Sequence, residues 1–244
     1  MRIRSYKFGV RSWLLGLVLS LIGSHSFAQV TDSLAPPLDD YRHFIMPSAK
    51  PINGAYVGFW ELAFLQGGVG FGDIFSVSGG ITILPTVAFR SQIAFLQAKA
   101  TLAEEEGVSF AVGVNLLRLT SQYFYVHPFL AATVEMQNEI RYTGLIFIKA
   151  SGDNYPIVTV APYGSFSFTY GSLLGAGIGF DAPLKGIPDT RFIAEIWNHD
   201  LSSPNKLALL AALRIEGKHL SSDFGLMYFT MPLLTPVANF VWRF

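Results

Sequence analysis

A histidine, a carboxylate and two serines raise the question of hydrolytic chemistry. His127 and Glu135 lie on one predicted strand, and Ser165 and Ser167 lie nearby in the predicted sheet. Together they could supply a base, an orienting acid and a nucleophile. However, the interval between His127 and Glu135 spans about 26 Å along a strand, so the two side chains cannot touch. The chain also lacks the G-x-S-x-G and H-E-x-x-H signatures. We therefore expect no enzyme, no catalytic residues and no metal or cofactor site, and keep an outer-membrane lipid-modifying enzyme as an alternative.

A larger set of charged side chains is predicted to face the inside of a sheet that closes on itself. These candidate lumen charges are Glu61, Lys99, Glu135, Arg141, Glu195, Arg214, Asp223 and Arg243. Unpaired charges in a narrow lumen are costly unless they are hydrated, so opposite charges are expected to pair. The set could form an eyelet that selects solutes, or a salt-bridged plug that passes nothing. Barrels of eight strands are filled by side chains and those of 16–18 leave a channel. For an intermediate barrel we favour the plug or a narrow pore.

The elements that carry these residues are predicted β-strands. From Gly54 onward, apolar and polar residues alternate with a period of two. The first strand is predicted over 55–65, the glycine-rich residues 67–73 are predicted to turn the chain, and a second strand begins near Phe75. Residues 156–181 are predicted to form two further strands. The pattern predicts about twelve strands in all, or ten if the sixth to eighth are misread, and even numbers are usual for single-chain barrels.

The composition favours a membrane barrel over a soluble sheet. The chain is 51% hydrophobic and only 14% charged, against about 25% charged residues in an average soluble domain. No segment after the N-terminus is an apolar run of helix length, and in lipid only helices and closed barrels satisfy the backbone. The sequence therefore predicts an all-β, antiparallel transmembrane β-barrel. A soluble secreted barrel that binds an apolar ligand shows the same alternation, and it remains a second alternative.

The N-terminus has the features of a cleaved signal peptide. Four basic residues precede an apolar core, Trp13–Gly23, and small residues around Ala28 offer a cleavage point. The core has about 11 residues, fewer than the roughly 20 that a membrane-spanning helix needs. We thus predict a signal peptide over 1–28, the barrel over 54–244 and, between them, a periplasmic N-terminal segment over 29–53 that could tuck into the barrel mouth. Cleavage lowers the basic count from 17 to 13 against 17 acidic residues, and this acidic balance argues against a nucleic-acid partner.

The last strand contains a second indication of where the protein is located. Phe240, Trp242 and Phe244 share one face of it, and this arrangement resembles the closing strand of bacterial outer-membrane β-barrel proteins. In that class the closing strand carries the signal read by the barrel-assembly machinery. The resemblance implies that this machinery is a partner during biogenesis, that outer-membrane lipid surrounds the barrel, and that the protein is located in the outer membrane of a Gram-negative cell.

Three internal motifs also indicate an outer-membrane β-barrel. The stretches Tyr41–Ala49, Phe75–Ile81 and Ala194–Asn198 resemble motifs of an uncharacterised family of Gram-negative outer-membrane β-barrel proteins. This resemblance implies a fold and a location, and it brings no catalytic residues. The predicted function is an integral outer-membrane protein, structural or a narrow channel, with no chemistry of its own.

Overall fold

A computed structural model of the chain describes a defined set of residues, namely 44–61, 63–85, 87–160, 164–167, 174–203, 207–229 and 233–244. The predicted signal peptide lies outside them, as does the first part of the predicted N-terminal segment. Among the described residues, no helix is both long and apolar enough to cross a membrane.

The described residues form fourteen strands, twelve of which close into one antiparallel barrel. The strands are β1 (Ala55–Trp60), β2 (Phe64–Phe71), β3 (Phe75–Thr82), β4 (Ala94–Glu105), β5 (Val108–Arg118), β6 (Phe124–Glu135), β7 (Arg141–Ile148), β8 (Ile157–Val160), β9 (Gly164–Ser167), β10 (Leu174–Pro183), β11 (Thr190–Asn198), β12 (Leu207–Glu216), β13 (Leu220–Phe229) and β14 (Leu233–Arg243). β8 and β9 pair only with each other, and β7 pairs directly with β10. The barrel closes where β1 meets β14, with Tyr56 opposite Arg243. The predicted antiparallel barrel of about twelve strands is confirmed.

The predicted number of barrel strands is right because two errors in the prediction of individual strands cancel. Residues 67–73, predicted as a turn, mostly belong to β2, whose Gly67 lies opposite Gly79 of β3. The glycines serve close packing here: a Cβ on Gly70 would lie 1.8 Å from the carbonyl oxygen of Ile52, and one on Gly68 would lie 2.5 Å from the Tyr56 ring. Conversely, of the two barrel strands predicted over 156–181 only one, β10, joins the barrel.

Side chains alternate between an apolar outer face and a largely polar inner face. On β12, Leu209 and Leu213 point outward and are exposed, whereas Arg214 points inward and is fully buried. Leu130 and Ile178 on the outer face are 60% and 65% exposed. This pattern is the reverse of a soluble protein, because the apolar residues lie outside and the charges inside.

The two ends of the barrel differ in their connections. At the terminal end, where β1 begins and β14 ends, neighbouring strands are joined by the short stretches 72–74, 106–107, 136–140, 184–189 and 217–219. Glu106 and Gly107 both have positive φ, 46° and 82°, as a tight two-residue hairpin turn requires. At the opposite end, the stretches 61–63, 119–123 and 230–232 are also short, but 83–93, 149–173 and 199–206 are longer. Longer loops at one end only are typical of bacterial membrane barrels.

Two of the longer loops fold against the wall at the opposite end. Gln92 fixes the loop 83–93: its amide nitrogen donates to the carbonyl oxygens of Leu84 (3.1 Å) and Val87 (3.0 Å). Leu84 and Val87 pack against a cluster that contains the buried Tyr125. The Tyr125 hydroxyl donates to the carbonyl oxygen of Asp153 in the second loop (3.0 Å). These contacts tie the described parts of both loops to the start of β6.

Candidate functional site

The barrel interior contains a segment of the chain itself, residues 44–54, named the inner segment below. It joins β1 at the terminal end, where the Gly70 amide donates to the carbonyl oxygen of Gly54 (2.8 Å). From there it runs inward, so that Phe44, Met46 and Ala49 are buried. The described part of the predicted N-terminal segment therefore lies within the barrel lumen.

A buried carboxylate on β11 holds the inward end of the inner segment. The backbone amides of Phe44, Ile45 and Met46 all donate to the Glu195 carboxylate, the latter two at 2.9 and 3.3 Å. Glu195 is only 1% exposed. Successive amides that converge on one anion form an anion-binding nest, and they offset the cost of burying the carboxylate.

Side chains of β4 and β6 hold the middle of the inner segment by its main chain. The Ala49 amide donates to Thr133 Oγ1 (2.9 Å), and the Thr101 hydroxyl donates to the carbonyl oxygen of Ala49 (2.8 Å). The Lys99 ammonium donates to the carbonyl oxygens of Ser48 and Lys50. Because these bonds end on main-chain atoms, they fix the path of the segment rather than select its side chains.

Three side chains of the inner segment add to this hold. The Lys50 ammonium pairs with Glu135 and lies 3.5 Å from the Glu104 carboxylate. Met46 packs in an apolar cluster with Ala111, Phe129, Ala131 and Leu145, and Phe44 packs in another with Leu210, Ala212, Met227 and Val237. The segment is therefore bound by directional bonds along its main chain and by two apolar anchors.

A ladder of buried polar pairs, named the charge ladder below, runs around the terminal half of the lumen. Arg141 Nη1 lies 3.1 Å from Asp181, which lies 2.6 Å from Arg191 Nε. Arg214 contacts both carboxylate oxygens of Asp223, at 2.6 and 3.1 Å. The ladder continues across the barrel closure, since Asn239 donates to Asp223 (3.0 Å) and accepts from Gln66 (2.8 Å).

The strand register explains why these pairs form. Arg141 lies directly opposite Asp181 on the neighbouring strand, and Arg214 lies directly opposite Asp223. Facing residues on one side of a sheet have Cβ atoms close enough for their side chains to interact. The arginines and aspartates are almost fully buried, so their pairing is what makes their burial tolerable.

The predicted lumen charges separate into two groups in the structure. Seven have inward positions on barrel strands: Lys99, Glu135, Arg141, Glu195, Arg214, Asp223 and Arg243. Glu61, predicted on the first strand, instead lies exposed in the turn after Trp60 with a φ of 52°. The reason is that β1 ends at Trp60 and the chain reverses there into β2.

Sequence reasoning missed several residues of this interior. Asp181 and Arg191 could have been found, because each continues the inward alternation of its strand. Lys50 and Thr133 could be paired with their partners only once the path of the inner segment was known. The polar, proline-containing segment without alternation could be predicted to tuck into the barrel mouth, but no pattern in it identifies the residues that it contacts.

The opposite half of the barrel contains several aromatic side chains, together with buried polar residues such as Lys149 and Asp200. Phe64 stacks on Phe95 with ring centroids 5.7 Å apart, and Trp60 meets Phe64 edge-on at 5.9 Å. His127 stacks on Tyr125 at 5.9 Å. Glu135 lies at the other end of β6, engaged by Lys50, so the structure does not bring His127 and Glu135 together. Ser165 and Ser167 lie on β9, in the separate two-stranded sheet.

A cavity of about 80 Å³ remains between the inner segment and the wall formed by β1–β4. A water molecule takes up about 30 Å³ in the liquid, so the cavity holds a few waters. Its polar wall residues are Tyr56, Gln66, Ser78, Gln97 and Lys99. Among the described residues, no group of three or more His, Asp or Glu side chains is arranged to hold a metal ion.

Comparison with known proteins gives matches in structure only. No family model matches the chain, and no curated protein matches it. One similar solved structure is the KdgM porin, with a TM-score of 0.54 and 10% identity, covering 78% of this chain and 97% of that chain. A second is the KdgM porin in complex with disordered oligogalacturonate, with a TM-score of 0.53, 10% identity and the same coverage. At this identity the likeness shows a porin-like barrel fold.

Proposed function

We propose that this chain is an integral outer-membrane β-barrel of a Gram-negative cell that forms a narrow channel, closed at rest by its own inner segment. The observation that carries the proposal is the segment itself, bound inside a barrel whose outer face is apolar. The KdgM porins, which share the fold, support a channel.

The outer face supports a position in lipid. Large apolar side chains are exposed around the barrel, among them Leu96, Leu130, Ile146, Ile178, Leu209, Leu226 and Leu234. Soluble monomers rarely expose continuous apolar patches above a few hundred Å². In a bilayer the same residues contact acyl chains, and closure leaves none of the twelve barrel strands with an unpaired edge. This face therefore disfavours the soluble, ligand-binding alternative.

The interior supports a channel that is closed in this state. The charge ladder, the apolar clusters around Phe44 and Met46, and the bonds to the main chain of the inner segment occupy the lumen. One of the KdgM porin structures contains an oligogalacturonate, but a cavity of about 80 Å³ does not hold an oligosaccharide. We infer that any solute larger than a few waters passes only when the inner segment is displaced.

Export and assembly complete the proposal. Residues 1–28 would direct export and be removed, and the face of β14 that carries Phe240 and Trp242 would be read by the barrel-assembly machinery. The enzyme alternative is disfavoured because His127 packs among aromatic rings and the carboxylate on its strand is engaged elsewhere.

Planar-bilayer conductance of the wild type and of Glu195→Gln tests the proposal. The substitution removes the charge that accepts three backbone amides, and hydrogen bonds to charged groups contribute about 1.5–3 kcal/mol. We expect rare openings in the wild type and an open fraction at least about tenfold higher in the variant. Glu105→Gln, at an exposed position, is the matched control and should behave as the wild type. If Glu195→Gln conducts no more than the control, the inner segment does not close the channel.

A further inference from the structure

The inner segment does not fill the lumen symmetrically. We infer that, once the inner segment is displaced, solutes pass on one side of it, between the segment and the inner wall of β1–β4, and that Gln66, Ser78 and Gln97 line that passage. The inference rests on the proposed channel function and names the residues that solutes would meet.

The inner segment is fastened unevenly around the lumen. Its hydrogen bonds run to Lys99 and Thr101 on β4, to Thr133 on β6 and to Glu195 on β11. Its apolar anchors pack on β5–β7 and on β12–β14. Lys99 and Thr101 of β4 bind the segment at one edge of the cavity, and the cavity extends from that edge towards Tyr56 on β1, Gln66 on β2 and Ser78 on β3.

The inward side chains differ in size between the two sides of the segment. The fastened side presents bulky residues at this depth, such as Phe129, Leu145 and Leu210. The inward positions of β2 and β3 hold small ones, named here by strand: Gly68 and Gly70, then Ser76, Ser78 and Gly80. The room at Gly70 is taken by the carbonyl group of Ile52, which lets the segment lie close to β2, and Ser78 borders the cavity itself.

The passage is lined by amide and hydroxyl groups. The amides of Gln66 and Gln97 both donate and accept hydrogen bonds, as does the hydroxyl of Ser78. Groups of this kind can replace part of a solute's hydration shell as it passes. The lining therefore suits water and small hydrophilic solutes, whereas the clusters around Phe44 and Met46 do not.

Cysteine accessibility tests the inference directly, because the chain contains no cysteine. Ser78→Cys and Gln97→Cys each place a thiol on the cavity side of the segment. Ala131→Cys places the same group against the fastened face of the segment. Each variant is reconstituted in vesicles and exposed to a small anionic methanethiosulfonate reagent, chosen because the charged side chains that line the cavity are Lys50 and Lys99. Slower migration after boiling confirms that each variant is folded.

We expect the two cavity-side thiols to react at least about tenfold faster than the thiol at position 131. We also expect their modification to lower conductance in planar bilayers. Equal rates, or a faster reaction at position 131, would overturn the inference. The reaction rates could differ as expected while no protein conducts, including the wild type and Glu195→Gln. That result would support the assignment of the accessible side and contradict the proposed channel.

Discussion

The two halves of the lumen contain different kinds of residues. Those of the terminal half join barrel strands to one another, and those of the opposite half contact the inner segment. In the terminal half, the charge ladder joins barrel strands to one another, from Arg141 on β7 through Asp181 and Asp223 to Asn239 and Gln66 across the closure. In the opposite half, aromatic and aliphatic side chains contact Phe44, the deepest described anchor of the inner segment, and buried polar residues such as Lys149 and Asp200 lie beyond them.

We therefore expect different residues to determine the stability of the barrel wall and the closure of its lumen. Breaking the charge ladder should weaken the barrel wall, because a buried charge left alone is strongly unfavourable. Removing an apolar anchor should release the inner segment and leave the wall intact, since no strand pairing depends on it. Three substitutions sharpen this comparison, from the largest expected effect to the smallest.

Asp223→Ala should have the largest effect. It leaves the fully buried Arg214 without the carboxylate that faces it, and breaking a buried pair in this way costs about 3–5 kcal/mol. Urea unfolding of the barrel from lipid vesicles measures the loss. The double variant Arg214→Met/Asp223→Leu should recover most of it, because it removes both charges. If the double variant is no more stable than the single one, the ladder acts through something other than charge pairing.

Phe44→Ala should open the channel without destabilising the barrel. Burial of a phenylalanine side chain contributes about 1.5–3 kcal/mol, which corresponds to an open fraction roughly 10- to 100-fold higher. The urea midpoint should stay within experimental error of the wild type. Ile45→Ala, at a neighbouring and partly exposed position, is the control for conductance. A large fall in unfolding free energy for Phe44→Ala would show that the inner segment is part of the wall's stability.

Phe64→Leu should have the smallest effect. The variant keeps most of the apolar volume but loses the stacked contact with Phe95 and the edge contact with Trp60. Aromatic pairs contribute about 0.5–1.5 kcal/mol beyond their buried area, so urea unfolding should show a loss in that range. Phe110→Leu, on the exposed outer face, is the matched control. A loss as large as that of Asp223→Ala would remove the distinction between the two halves.

The barrel could be predicted from sequence because lipid-facing strands obey a strict period of two. On β12, Leu209, Leu213 and Arg214 fall on the faces that the alternation assigns. The glycine-rich residues of β2 are predicted as a turn because glycine is common both in turns and in closely packed strands. Only the contacts of Gly68 and Gly70 with Tyr56 and Ile52 show which setting applies.

The candidate site was less predictable, because it depends on contacts distant in sequence. The charges on β7, β12 and β13 could be assigned to the lumen from alternation, but their pairing follows from the register. The inner segment contacts Glu195 across an interval of 150 residues at Ile45. No local pattern encodes such a contact, so its position could not be read from the sequence.

A reversible disulfide lock tests most directly whether the inner segment closes the channel. Ser48 Oγ and Thr133 Oγ1 lie 3.5 Å apart, so Ser48→Cys/Thr133→Cys should form a disulfide that ties the inner segment to β6. Our account predicts that the oxidised variant conducts nothing in a planar bilayer and that adding a reductant restores openings. Identical openings before and after reduction, in protein whose cross-link is verified on a non-reducing gel, would contradict it.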